Sequence, residues 1–356
     1  MRPETSFTPA RWLPGPHLQT IWGPLTRGRR LVPFRRELLE TPDGDELVLD
    51  HLEGRQGTPR VVILHGLEGS SFSVYIQGFL RRLTRRGWRA TVMNFRSCAR
   101  DPKNLSLVLL NRRPRLYHSG ETEDLDLVVR TLQSREPAAP LLAAGISLGG
   151  NVLLKWLGDR PARAPIAAAA ALSTPYDLSA SARHLESRTG RLYVAGFLAT
   201  LRRKAADTAR RFPEAALKID VARTLASRTF WEFDDAANAP LHGFAGADDY
   251  YRRSSSLQFL PAIVTPTLCL SAEDDPFLPL SALRLARAAA SSSVEFVATP
   301  HGGHIGWIAG PWRPRYWAEE FAVDWLAARI RSETAHESGK KEMAGWRYPG
   351  SPAGHP

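Results

Sequence analysis

The stretch LLAAGISLGGNVLLKWL, residues 141–157, joins an apolar run, a tight turn and a helical pattern. The run is typical of a buried strand, and residues 148–158 are typical of a helix. A GxSxG pattern between a strand and a helix indicates a nucleophile elbow, which presents the Ser147 hydroxyl at the carboxyl edge of a sheet. The same turn places the Leu148 backbone N–H at a helix N-terminus, where it can stabilise an oxyanion.

Short apolar runs alternate with helical patterns on both sides of this stretch. Residues 34–52 predict a hairpin around the turn Pro42-Asp43-Gly44. Further strands are predicted at 60–66, 89–95, 166–173, 265–271 and 294–300, and helices near 74–86, 121–134, 280–290 and 315–331. This alternation predicts an α/β fold with a mostly parallel central sheet flanked by helices.

The alternation stops between about Tyr176 and Ala262, where the sequence is mostly helical and irregular. An insertion of this length between two strands of one sheet indicates a lid or cap. The predicted division is an N-terminal arm at 1–33, an α/β core at 34–175 and 263–331, a helical cap at 176–262, and a disordered tail at 332–356.

Composition excludes several classes of protein. The chain has 356 residues, of which 43% are hydrophobic and 23% charged, so it is not wholly disordered, collagen-like or coiled-coil. Its two cysteines cannot form a disulfide framework, and no CxxC pair indicates a zinc or redox site. We expect no metal and no cofactor.

The net charge of +11 raises the question of a nucleic-acid or membrane partner. Only six of the 47 basic residues are lysine, and the arginine clusters are dispersed without the aromatic pattern of an RNA-binding sheet. We therefore expect no nucleic-acid partner. The N-terminus lacks an apolar signal-peptide region, and Pro140 and three glycines interrupt the longest uncharged stretch, so we expect a cytoplasmic protein.

A serine nucleophile needs a base, and the base needs an orienting acid. The loop TPHGGHIG at 299–306 follows the last predicted strand and offers His301 and His304. We favour His304 because Gly302 and Gly303 let its imidazole swing over the serine.

The acid is expected in SAEDDPFLP at 271–279, after another predicted strand. Asp275 is favoured over Asp274 because the acid commonly sits just before the apolar and proline segment that turns the loop away. Asp177 is a weaker third candidate. The second oxyanion donor is expected to be the Leu67 backbone N–H, after the strand that ends in His65-Gly66, with His65 as a packing side chain.

The chain resembles the α/β-hydrolase superfamily and, more narrowly, its YheT-like branch of predicted hydrolases and medium-chain ester and monoacylglycerol hydrolases. The resemblance covers about residues 12–327. It rests on PHLQT at 16–20, HGLEGS at 65–70, NFR at 94–96, PRLYHSGETEDL at 114–125, GISLGGN at 145–151, DYY at 249–251, DDP at 274–276 and GGHIG at 302–306.

This resemblance implies a triad of Ser147, Asp275 and His304 and hydrolysis of medium-chain carboxylic esters, including monoacylglycerol-like lipids. In one departure, Ser97 replaces a glycine and extra residues at 105–111 lengthen a loop that is expected to border the site. Two alternatives use the same scaffold: an acyltransferase on the same triad, and a non-catalytic basic protein that binds lipid. No protein partner is predicted.

Two further segments have alternative interpretations. His118-Ser119-Gly120 either lines the pocket or forms a helix N-cap at Ser119, which we favour. The apolar helix LYVAGFLATL, residues 192–201, either packs over the acyl pocket, which we favour, or contacts an anionic membrane surface peripherally.

Overall fold

The computed structural model describes residues 6–28, 31–160, 164–187 and 189–330. The strands of the main sheet are β1 (Arg35–Glu40), β2 (Glu46–Leu52), β3 (Arg60–Leu64), β4 (Arg89–Asn94), β5 (Leu141–Ile146), β6 (Ala168–Leu172), β7 (Thr267–Ala272) and β8 (Val294–Thr299). The helices outside the insertion are α1 (Pro16–Thr26), α2 (Val74–Arg85), α3 (Glu123–Arg135), α4 (Leu148–Gly158), α12 (Leu280–Ala289) and α13 (317–330). The predicted tail at 332–356 lies outside the described residues.

The eight strands form one sheet in the order β1-β2-β4-β3-β5-β6-β7-β8. Strand β2 runs antiparallel to both of its neighbours, β1 and β4, and every other pair is parallel. Parallel strands joined by helices leave their carboxyl ends at one edge of the sheet. The predicted α/β fold with its mostly parallel sheet is therefore confirmed.

Helices cover both faces of the sheet, as the continuous apolar strands require. Alternate residues of β3 face opposite ways: Val62 and Leu64 pack in the core beneath α3, α4 and α12, whereas Val61 and Ile63 pack against α2 and α13. The alternation of strand side chains accounts for two apolar cores separated by one sheet.

A helical insertion connects β6 to β7, in the position where the sequence predicts a cap. Its helices are α5 (Leu178–Leu185), α6 (Gly190–Arg211), α7 (Pro213–Ala216), α8 (Val221–Ala226), α9 (Phe230–Phe233), α10 (Ala239–Leu241) and α11 (Ala247–Ser254), with a π-helical segment at Asp234–Asn238 and a 3-10 helix at Ser256–Ala262. It contains apolar clusters of its own, centred on Leu198 and Phe233 in one and on Tyr250 in the other. The boundary of the cap as a separate domain stays a prediction.

Three elements were not predicted from the sequence. Helix α1 occupies part of the expected arm, and a short ribbon pairs Ile308–Ala309 with Arg315–Tyr316. The lengthened loop contains a two-stranded ribbon of Arg100–Asp101 and Asn104–Val108. Within the described residues this loop contributes nothing to the wall of the cavity beside Ser147. The expectation that the loop borders the site is therefore wrong. Asn111 explains its course, because Nδ2 donates to the Glu46 carbonyl at 2.8 Å and holds the loop against the hairpin.

Arg96 fastens the turn between β1 and β2 to α3. Its Nη1 donates to Asp43 and Asp45 at 2.9 Å each, and its Nε and Nη2 donate to the two carboxylate oxygens of Asp124 at 2.8 and 2.7 Å. The Arg96 side chain is only 2% exposed. One planar guanidinium therefore forms hydrogen bonds to three acidic side chains from two separate elements.

Arg96→Lys should lower the free energy of unfolding by about 3–5 kcal/mol, because an ammonium cannot serve three carboxylates in this geometry and leaves buried charge unpaired. Urea unfolding monitored by circular dichroism measures the change. The exposed Arg112→Lys is the matched control and should change stability by less than about 1 kcal/mol. Equal losses in the two variants would contradict this assignment.

Candidate active site

The turn after β5 holds Ser147 in a backbone conformation that is rare for a residue with a side chain, with φ of 54° and ψ of −119°. Close approach of the chain enforces this geometry. A Cβ on Gly145 would collide with the Gly149 carbonyl, and a Cβ on Gly149 would lie 2.6 Å from the carbonyl oxygens of Leu64 and His65. The glycines therefore allow β3, β5 and α4 to meet where Ser147 projects from the sheet.

The structure brings the predicted serine, histidine and aspartate together. Ser147 Oγ lies 3.0 Å from His304 Nε2, and His304 Nδ1 lies 2.9 Å from Asp275 Oδ2. His304 is 6% exposed and Asp275 is 3% exposed. Phe277 stacks on the imidazole at 4.2 Å between ring centroids, and its backbone N–H donates to Asp275 Oδ1 at 2.8 Å. Such a chain can take the proton from a hydroxyl and stabilise the resulting imidazolium.

The other candidates for base and acid lie elsewhere. His301 is exposed and its Nδ1 is 3.2 Å from Asp274 Oδ2, while Asp274 Oδ1 accepts the Gly303 N–H at 3.0 Å. Asp177 caps α5 by accepting the Ala180 N–H at 2.9 Å. These three side chains shape loops and helix ends and do not contact Ser147.

The predicted oxyanion donors lie beside Ser147. Leu67 belongs to a turn closed by the Gly69 N–H donating to the Gly66 carbonyl at 3.0 Å. A Cβ on Gly66 would be 3.2 Å from the Ser147 Cβ, so this turn passes directly over the serine. Leu148 is the first residue of α4, where a backbone N–H has no partner within the helix. Both residues line the main cavity together with Ser147.

His65 supports the same turn from inside the core. Its Nε2 accepts the Phe95 N–H at 3.1 Å, which leaves the Nδ1 proton for the Gly66 carbonyl at 2.8 Å. Burial lowers the pKa of His65 to about 4, so the ring stays neutral. The structure agrees with the packing interpretation of this residue.

A buried ion pair, which the sequence did not reveal, ties the cap to the Leu67 turn. Lys204 Nζ of α6 donates to Glu68 Oε1 at 2.6 Å, and the Tyr117 hydroxyl donates to the same oxygen at 2.8 Å. Burial by itself would raise the pKa of Glu68, but the charge of Lys204 and the hydrogen bonds from Lys204 and Tyr117 together lower it. Because Glu68 and Lys204 are separated by 136 residues, no local sequence pattern could have predicted that they pair.

A cavity of about 350 Å³ opens in front of Ser147, between the sheet edge and the cap. Its wall is mainly apolar and includes Leu116, Leu185, Phe197, Leu201, Phe230 and Phe277. Such a volume and lining are typical of a site for a small, largely apolar ligand. Within the described residues no group of three or more His, Cys, Asp and Glu side chains could hold a metal ion.

The structure decides between the two interpretations of the segment His118-Ser119-Gly120. Ser119 is not a helix cap, because α3 begins at Glu123 and its first amides donate to Glu121 Oε1 instead. The Ser119 N–H donates to the Tyr250 hydroxyl at 2.8 Å, and both residues line the cavity. The favoured cap interpretation was therefore wrong.

Helix α6 packs over the cavity, as the favoured interpretation predicts. Val194 and Leu198 are buried, Phe197 and Leu201 line the cavity, and Leu192 faces outwards. None of the helices in the described ranges combines the length and apolar character needed to cross a bilayer. Peripheral membrane contact through this helix stays a prediction.

One part of the cavity wall is polar. Asp234 begins the π-helical segment and accepts hydrogen bonds from the Tyr251 hydroxyl at 2.7 Å and from Asn238 Nδ2 at 3.1 Å. Burial raises the pKa of Asp234 to about 7, although both hydrogen bonds oppose the shift. No cation pairs with this carboxyl group in the described part of the chain. The carboxyl group of Asp234 therefore gains or loses its proton near neutral pH, and it does so in the wall of the cavity.

Comparison with known proteins agrees with this architecture. A family model described as alpha/beta hydrolase fold matches residues 59–311, which is more than two thirds of the chain. The "Putative esterase YheT" of Escherichia coli K12 is 38% identical over 336 residues, covering 93% of this chain and 96% of that protein. The chain belongs to the α/β-hydrolase fold family, in its YheT-like branch.

More distant members of the α/β-hydrolase family extend the comparison. The phospholipase ABHD3 of Bos taurus is 32% identical over 315 residues, covering 86% of this chain and 74% of that protein. The solved structure of the Pyrococcus furiosus esterase PF2001 superposes with a TM-score of 0.54 at 16% identity, covering 84% of this chain and 91% of that chain. The last likeness concerns the fold alone. The resemblance stated from the motifs is confirmed.

Lys204→Met should lower the free energy of unfolding of this hydrolase by about 3–5 kcal/mol, because Glu68 keeps a buried charge without its cation. The double variant Glu68→Gln/Lys204→Met removes both charges and should be more stable than Lys204→Met alone. Urea unfolding at pH 7 measures both. The exposed Lys103→Met is the control, and an equally destabilised double variant would contradict the pairing.

Asp234 gives a prediction for the pH dependence of stability. An unfolded aspartate loses its proton near pH 4, whereas folded Asp234 keeps it to about pH 7. Between these values the folded state binds more protons, so this group lowers stability as pH rises, by up to about 1.4 kcal/mol per pH unit. Asp234→Asn removes this effect.

The stability of Asp234→Asn relative to wild type should therefore be higher at pH 8 than at pH 5. Urea unfolding of both proteins at the two pH values measures the difference. The same relative stability at both values would show that the carboxyl group is already ionised in the folded protein at pH 5.

Proposed function

We propose that this chain is a serine hydrolase of carboxylic esters, with Ser147 as the nucleophile, His304 as general base and acid, and Asp275 as the residue that orients the imidazole. The hydrogen-bonded chain from Ser147 Oγ through His304 to Asp275, at the mouth of an apolar cavity, supports this proposal. The relatives named as esterase and phospholipase agree with ester chemistry.

The reaction begins when Ser147 Oγ attacks the ester carbonyl carbon and its proton passes to His304 Nε2. Asp275, hydrogen-bonded to Nδ1, stabilises the imidazolium that forms. The imidazolium then protonates the leaving alcohol oxygen, and the acyl group remains as an ester on Ser147. His304 then removes a proton from a water molecule, whose oxygen attacks the acyl carbon. The bond to Ser147 Oγ breaks, the carboxylic acid leaves, and the His304 imidazolium returns the proton to Ser147 Oγ.

The tetrahedral intermediates carry negative charge on the former carbonyl oxygen. The backbone N–H groups of Leu67 and Leu148 are proposed as its donors, because both residues line the cavity beside Ser147. The N-terminal end of α4 adds a favourable dipole at Leu148. The loss of one such donor typically costs about 3 kcal/mol of transition-state stabilisation.

The cavity supports an acyl group of medium length as substrate. A volume of about 350 Å³ lies near the lower end of the range for small-ligand pockets, which favours an acyl chain of medium length over a long one. The aromatic and aliphatic wall from the cap suits an alkyl chain, whereas the polar part of the wall at Asp234 suits an alcohol that bears hydroxyl groups. Medium-chain esters and monoacylglycerol-like lipids combine these two features.

A panel of p-nitrophenyl esters with acyl chains from short to long tests the proposal. Wild-type kcat/KM should peak at intermediate length, and Ser147→Ala should lose at least about 1000-fold in kcat because the nucleophile is gone. Ser134→Ala, which removes an exposed hydroxyl on α3, is the matched control and should keep wild-type rates.

A fluorophosphonate probe gives an independent measurement, because it reacts only with an activated serine. Wild type and Ser134→Ala should be labelled, and Ser147→Ala should not. Equal ester hydrolysis by wild type and Ser147→Ala, or labelling at another serine, would overturn the proposal. Lipid binding without labelling would favour the non-catalytic alternative.

A further inference from the structure

The loop that carries His304 is strained along its backbone. Gly303, Ile305 and Trp307 have φ values of 61°, 60° and 44°, and the last two have side chains that disfavour this region. A segment with several such residues persists only where surrounding contacts hold it. The groups that hold this loop therefore influence where the imidazole points.

Two side chains, one partly exposed and one buried, hold the neighbours of His304. The Gly303 N–H donates to Asp274 Oδ1 at 3.0 Å, and the Ile305 N–H donates to Ser173 Oγ at 3.1 Å. The second bond holds the peptide unit that follows His304, but neither bond engages the His304 N–H. That donor is bound by a different part of the chain.

Helix α1 supplies the contact at His304. The His304 N–H donates to Thr20 Oγ1 at 2.9 Å, and Thr20 Oγ1 donates its own proton to the Pro16 carbonyl at 2.7 Å. Because the hydroxyl proton is engaged within α1, a lone pair of Thr20 faces the His304 amide. The two residues are separated by 284 positions in the sequence.

The rest of α1 and the loop are in direct backbone contact. A Cβ on Gly306 would lie 2.5 Å from the Gln19 carbonyl, and a Cβ on Gly303 would collide with the Pro16 carbonyl. Gln19, which is 1% exposed, donates to the Ile308 carbonyl at 3.1 Å and accepts the Ile308 N–H at 2.7 Å. The helix is therefore a rigid support for the loop.

We propose that Thr20 is a positioning residue for the ester hydrolysis proposed above: its hydroxyl fixes the His304 backbone so that Nε2 reaches Ser147. This inference rests on the proposed function. Helix α1 lies outside residues 59–311, the part of the chain that the family model matches. Membership of the family therefore does not by itself assign a positioning role to Thr20. Thr20 does not contact the reacting atoms and acts only through His304.

The test compares Thr20→Val, Thr20→Ala and Thr20→Ser with wild type. Valine keeps the size of threonine but removes the acceptor, alanine removes it without placing a methyl group against the amide, and serine keeps it. Thr26→Val is the matched control, because Thr26 donates to the Trp22 carbonyl in the same way at the exposed end of α1. Each variant is assayed with the best p-nitrophenyl ester and with the fluorophosphonate, well below its melting temperature.

Thr20→Val and Thr20→Ala should lower kcat and the labelling rate by about 10- to 100-fold with KM within about twofold, because the imidazole loses its alignment with the serine. Thr20→Ser should recover most of the rate, and Thr26→Val should match wild type. Should valine prevent folding, the alanine variant carries the test.

Folded Thr20→Val and Thr20→Ala proteins with wild-type kcat and labelling rates would overturn the inference, even if their melting temperatures fall. A drop in melting temperature alone would show that Thr20 only stabilises the fold. If wild type itself neither hydrolyses esters nor reacts with the fluorophosphonate, the proposed function fails, and that result is distinguishable from wild-type activity retained in the Thr20 variants.

Discussion

The architecture of the candidate active site depends on the close approach of three backbone segments around Ser147. The ends of β3 and β5 and the first turn of α4 come within contact distance because residues 145 and 149 have no side chains. This approach keeps the serine in a strained conformation at the sheet edge, with helix-terminal and turn amides beside its hydroxyl. The strain is maintained by two apolar cores that fix the strands and helices from both faces of the sheet.

The groups around the serine come from distant parts of the chain, and each is held by its own contacts. The Leu67 turn is tied to the cap through Glu68 and Lys204, and the His304 loop is tied to α1 through Thr20. The cap thus contributes a charge next to the turn in addition to the apolar wall of the cavity. These connections join the cap and the N-terminal helix to the sheet edge at which the proposed reaction takes place.

The sequence predicted the features that follow from local patterns. Short stretches of sequence were enough to recognise the strand and helix periodicity, the hairpin at 34–52 and the turn at Ser147. The structure contains all of these features. Helix α1 was missed because Gly23 and Pro24 disfavour a helix, and its packing on distant segments, the His304 loop among them, compensates for them. The burial of Lys204 and the role of Ser119 likewise depend on partners far away in the sequence.

A series of contacts between aromatic rings connects α1, the cap and the loop that carries His304. His17 of α1 lies 3.0 Å from the Tyr193 hydroxyl of the cap, the Tyr193 ring packs on Phe277, and Phe277 stacks on His304. The cap is therefore not an interchangeable module. In a chimera that exchanges caps between relatives, residues 16–26 would have to be inherited together with α6 for the histidine to keep its neighbours.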